Sequence, residues 1–144
     1  MIPNLTLPLK FVHLATMQAQ VTQIINFGIS PLGNRLDVIF EGDLTGEVIT
    51  GKLKGVDYFA LRPDGIGQVD VRGSILTNDE AVISVWISGY VIGSKFIDTN
   101  LKFVTGDDRY KWLNEKIVIG TGRGLPEGYV GLPERFEMEY YYAE

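Results

Sequence analysis

Apolar and polar residues alternate through most of this chain, in short runs broken by turn residues. A period of two is the mark of a strand with one covered face. Phe11 to Gln23 follows it, with Phe11, His13, Ala15, Met17 and Ala19 on one face. Arg35 to Glu41 sets Leu36, Val38 and Phe40 against Asp37, Ile39 and Glu41. Further strands are predicted over Glu47 to Lys54, Tyr58 to Arg62, residues 67 to 76, Ala81 to Ile92, Asp98 to Thr105, Lys116 to Thr121 and Phe136 to Tyr142. Turns fall at Gly28 to Asn34, Gly42 to Gly46, Pro63-Asp64-Gly65 and Thr77 to Glu80. Gly106 to Glu115 is the one segment that reads as a helix, with Asp107-Asp108 at its start. Gly122 to Arg135 is rich in Gly and Pro and reads as a long loop.

This pattern predicts about eight to ten strands and one short helix. There is no alternation of strand with helix, so a parallel sheet is not expected. Closely spaced strands joined by short turns point to an all-β antiparallel barrel or sandwich. The 144 residues fit one domain, residues 1–144, with enough apolar material for one core.

Composition narrows the chemistry. The net charge is -5 and the basic residues are scattered, which argues against binding a phosphate backbone. No apolar run reaches the ~20 residues of a membrane-spanning helix, so no membrane association is expected. The chain has no cysteine, which excludes disulfides, thiolate metal sites and a cysteine nucleophile, and fits a cytoplasmic location. A single histidine, His13, removes multi-histidine metal centres, and no metal or other cofactor is expected.

Several motifs occur in order. They are the stretch from Leu61 through Pro63-Asp64-Gly65-Ile66-Gly67 to Gly73, the Asn78-Asp79 turn, and Phe103-Val104-Thr105-Gly106-Asp107-Asp108-Arg109-Tyr110-Lys111-Trp112-Leu113-Asn114. Gly28 through Gly33, Gly46-Glu47-Val48, Gly55-Val56-Asp57 and Gly120-Thr121-Gly122-Arg123 accompany them. Together they resemble the bacterial and fungal family called domain of unknown function 3237, from about Phe11 to Tyr142. The resemblance implies a compact antiparallel β-barrel, calycin-like or allene-oxide-cyclase-like, with an enclosed pocket and no single established activity. The chain departs from the family in two places. Lys54-Gly55-Val56-Asp57-Tyr58 stands where Gly-Gly-x-Asp-Trp is frequent, and the segment from Gly124 to Arg135 is longer than the usual connection.

Asp70 and Arg72 share one face of their strand, opposite Val69, Val71 and Ile75. If that face meets water the pair is surface charge; if it points into a barrel, Arg72 anchors a polar ligand group and Asp70 orients it. Asp57, after a glycine at a strand entrance, reads either as a turn aspartate or as a general acid or base. The even face of the Ala81 to Ile92 strand carries Ser84, Trp86, Ser88 and Tyr90, a mixture that suits a ligand pocket, whereas its odd face is plain core. Tyr58 and Tyr140 are further candidates. His13 reads as a core or rim residue, and Trp112 and Leu113 as a plug for one barrel end. Gly120-Thr121-Gly122-Arg123-Gly124 lacks the spacing and helix of a dinucleotide fingerprint.

Three functions follow as expectations. The first is a barrel that binds a small organic molecule through Tyr58, Asp70, Arg72, Trp86, Ser88, Tyr90 and Tyr140. The second is a cofactor-free isomerase, cyclase or lyase with Asp57 as acid or base and Arg72 as oxyanion stabiliser. The third is a homodimerising module built on strand edges and the 122–135 loop.

Overall fold

A computed structural model describes residues 9–126 and 132–144. Eight antiparallel strands close into a barrel in sequence order, each pairing with the next and β8 returning to β1. The strands are β1 (Phe11–Ser30), β2 (Gly33–Thr45), β3 (Gly51–Leu61), β4 (Gly67–Thr77), β5 (Val82–Ile92), β6 (Lys95–Val104), β7 (Val118–Leu125) and β8 (Arg135–Ala143). The expected all-β barrel is present, with eight strands. Closure leaves the strands within the barrel wall no free edges.

Several boundaries differ from those read along the sequence. Gly51–Leu61 is one strand, because Gly55 in its middle faces Gly73 across the β3–β4 ladder and causes no break. β7 continues to Leu125, so part of the expected 122–135 loop is ladder; residues 127–131 of that loop lie outside the described residues. The expected helix shrinks to one 3-10 turn, Lys111–Glu115. Before it, Asp107 spends its carboxylate on the Arg109 amide and guanidinium rather than on a longer helix. No helix among the described residues is long and apolar enough to cross a membrane.

Cross-strand partners point to the same side of a sheet, so the register tells inside from outside. Leu53, Ile75, Ile83 and Val85 sit on inward rows and are almost wholly buried. Bulges shift this parity. Between His13 and Ala15 the β1–β8 register slips, so Leu14 and Ala15 are both buried and His13 turns outward to Glu139, 2.6 Å from its Nε2. That corrects His13 from an apolar face to an exposed polar one.

One end of the barrel is filled. Leu14, Leu53, Ile75, Ile83, Val85, Leu101 and Val118 meet there, and Leu113 from the 3-10 turn closes it, fully buried. Trp112, expected to share that role, lies outside with its ring against Tyr142. A polar cap seals this end: Asp79 accepts from the Tyr110 hydroxyl at 2.9 Å and pairs with Arg109 at 3.2 Å. Asn114 exchanges two hydrogen bonds with the backbone of Thr105, each 2.9 Å. The Asn78-Asp79 and Arg109 to Asn114 motifs are therefore construction of the closed end.

Candidate functional site

The other end is hollow. A cavity of about 450 Å³ occupies the lumen, walled by Leu36, Val38, Phe59, Val69, Val71, Ile87, Phe96, Phe136 and their neighbours. This falls within the ~300–1,000 Å³ of small-molecule sites. Glycines of β7 make room for the side chains that wall it. Gly120, Gly122 and Gly124 are the successive inward positions of β7, facing Tyr140, Met138 and Phe136 on β8. A Cβ on Gly120 would lie 2.5 Å from Cδ1 of Tyr140, so the tyrosine ring occupies the space a side chain would take.

Polar groups in this wall are few. Asp57 and Asp98 reach it, with Tyr140, Asn26 and Asn34. Asp57 stands between Val38 of β2 and Val71 of β4 on the inward row. The β3–β4 ladder skips the pairs at Tyr58 and Phe59, and the Asp70 N–H freed there donates to Asp57 Oδ1 at 2.9 Å. Burial pushes the Asp57 carboxyl up to about 7; the Asp70 amide opposes this, the Asp70 charge adds to it, and Arg35 weakly opposes it.

Asp98 is brought inward by an irregularity in β6. Its register with β7 shifts between Asp98 and Leu101, so both point to the lumen although three positions apart. Burial, reinforced by the charge of Asp57, pushes Asp98 up to about 7. Among the described residues nothing donates a hydrogen bond to it. Tyr140 is buried nearby, and burial first and the Asp98 charge second hold its hydroxyl well above the usual phenol range. Asn34 Oδ1 is buried without a partner among the described residues. Among the described residues no lysine or arginine lines the cavity. Arg35, whose charge is felt at Asp57, donates to the carbonyls of Leu36 and Phe59 and to Asp37 Oδ1 at 2.8 Å.

Of the residues singled out from the sequence, Asp57 and Tyr140 line the cavity. Tyr58, Asp70, Arg72, Trp86, Ser88 and Tyr90 do not; their side chains are exposed on the outer wall. Arg72 lies opposite Trp86 there, and Lys102 sits 5.8 Å from the Trp86 ring. The expectation that this face points inward is corrected, and the reason is hydrophobic. A barrel has one interior, and turning Asp70 and Arg72 inward would place Val69, Val71 and Ile75 in water. The odd face of β5, read as core, is the lumen wall. Asp98 was not singled out because strict alternation from Leu101 and Phe103 points it outward. The signal that could have revealed it is an acid at one end of a strand whose apolar phase changes midway.

Sequence comparison shows the family, and structure comparison shows a shared fold. The family model described as "Protein of unknown function (DUF3237)" matches residues 9–98 and 94–143. A UPF0311 protein of Bradyrhizobium diazoefficiens is 27% identical, over 81% of this chain and 88% of the relative. One from Rhodopseudomonas palustris is 26% identical over the same shares. A β-barrel-like protein from Acinetobacter baumannii superposes with a TM-score of 0.81 at 20% identity, covering 99% of this chain and 100% of that one. A protein from Penicillium herquei described as an enzyme gives 0.64 at 18% identity, covering 99% and 100%. The chain belongs to this family of unknown function.

Proposed function

We propose that the barrel takes a small, largely apolar organic molecule into its lumen and that Asp57 and Asp98 move a proton on it without a cofactor, as an isomerase, cyclase or lyase does. The observation that carries this reading is a buried carboxylate, Asp98, and a half-buried one, Asp57, opening on one apolar cavity with no cation among the described residues of its wall. Surface carboxylates titrate near 4 and are poor proton donors at neutral pH. Both of these are pushed up to about 7, where one group can accept a proton and the other give one. The role of oxyanion stabiliser, expected of Arg72, passes to Tyr140, which burial keeps protonated and able to donate. Apolar walls exclude water from the intermediate.

Binding without chemistry is the second reading, and the predominance of aliphatic and phenyl side chains in the wall favours it. Native mass spectrometry of the chain after incubation with cell extract identifies a retained small molecule. If incubation with that molecule changes its structure and Asp57→Asn stops the change while still retaining it, the enzyme reading stands. If the molecule is recovered unaltered at every pH from about 5 to 9, the binding reading replaces it.

A further inference from the structure

The two carboxylates of the cavity are not equivalent. Asp57 already accepts the Asp70 N–H at 2.9 Å. Asp98 is 6% exposed, yet no described residue donates to it. Tyr140, close enough for the Asp98 charge to affect it, makes no hydrogen bond to it. Residues 1–8 and 127–131 contain no lysine or arginine, so those segments bring no side-chain cation to the cavity either. A buried carboxylate offers about four acceptor sites, and buried acceptors are as a rule satisfied. The hydrogen-bond capacity of Asp98 is thus open to whatever fills the lumen.

Resting on the cavity reading above, we infer that Asp98 is the specificity residue of this site: it accepts a hydrogen bond from a hydroxyl or ammonium group on the inner end of the ligand, and it turns away ligands ending in a carboxylate or other anion. The geometry supports both halves. The β6 irregularity that brings Asp98 to the lumen sets it beside Gly120, where an added Cβ would lie 3.4 Å from that of Asp98. Asp98 itself lines the cavity, so a ligand head group in the lumen can approach the carboxylate. An anion brought there meets the Asp98 charge, with no compensating cation among the described residues of the wall, and like charges at low dielectric repel strongly. A cation or neutral donor meets an acceptor with no competing partner. Phe136, whose ring meets those of Phe40 and Phe96 at centroid separations of 5.3 and 5.5 Å, offers with them an apolar surface for the rest of the molecule.

Three probes on one rigid hydrocarbon cage test this: adamantanol, aminoadamantane and adamantane carboxylate. Calorimetric titration of the full chain at about pH 8 keeps both aspartates largely ionised. The alcohol and the amine are expected to bind, and the carboxylate to bind at least about tenfold more weakly. Asp98→Asn removes the charge and keeps the shape, so the amine weakens by about tenfold and the gap to the carboxylate closes. Arg72→Leu, on the outer wall, leaves the order of the three intact. Equal affinity for all three, or a gap that survives Asp98→Asn, overturns the inference and leaves the cavity reading standing. If none of the three binds, the cavity reading falls and the inference with it.

Discussion

The two ends of the barrel are made by the same strands with the same alternation, yet one is packed solid and the other holds a cavity of about 450 Å³. At the closed end the inward residues are Leu, Ile and Val that meet in the middle, and Leu113 adds a plug from outside the sheet. At the open end three inward positions of β7 are glycine, and two others, Asp57 and Asp98, are acids. An eight-stranded barrel has an interior that side chains just fill, so residue volume decides whether it is core or cavity. The difference separates stability from chemistry: the closed end supplies packing, and the open end tolerates desolvated charge.

The strongest test of that division is truncation at each end. Ile83→Ala, at a fully buried closed-end position, is expected to cost about 3–4 kcal/mol in denaturant unfolding. Val38→Ala, whose side chain already borders empty space, should cost about 1 kcal/mol. Equal costs would mean that the lumen is packed throughout.

Next in size is the charge stored at the open end. A carboxyl raised from 3.8 to about 7 on folding binds its proton more tightly in the native state, so its contribution to stability is full below about pH 4 and is lost as pH rises towards 7. Asp57→Asn and Asp98→Asn should therefore each raise stability at about pH 8, by up to ~4 kcal/mol, and change little near pH 4. Unfolding curves at the two pH values check the sign. A loss of stability at pH 8 would show that these acids are structural partners rather than strained functional ones.

Gly120→Ala is expected to cost about 1–3 kcal/mol, since its Cβ must displace the Tyr140 ring from a position 2.5 Å away. It should also weaken binding of any lumen ligand. Retained stability with unchanged affinity would show that this ring moves freely and does not shape the cavity.

The smallest effect belongs to the outer wall. Arg72→Leu and Trp86→Ser alter exposed side chains that miss the lumen, so stability should change by less than about 0.5 kcal/mol. Lumen binding should be unaffected. A large loss of binding in Arg72→Leu, measured by the same titrations, would return this face to the site.

Much of the site was legible before the fold was known, but unevenly. Asp57 reads from the sequence as an acid after a glycine at a strand entrance, and Tyr140 as a further candidate; both reach the cavity. Asp70, Arg72, Trp86, Ser88 and Tyr90 formed the more conspicuous polar pattern and face outward. Conspicuous polarity marks a face that differs from its opposite, and in a barrel that is ordinarily the wet one.

By itself the sequence determined the all-β class, most of the strands, the apolar face of those without a bulge, and the family. It did so because alternation and turn chemistry are local properties, written within a few residues of where they act. Only the tertiary structure decided which acids meet at the cavity. Alternation specifies which residues share a face but not whether that face encloses space, and the β6 irregularity moves Asp98 across the parity that alternation assigns. The raised proton affinity of Asp57 and Asp98 comes from removing water around both at once, which requires the closed barrel.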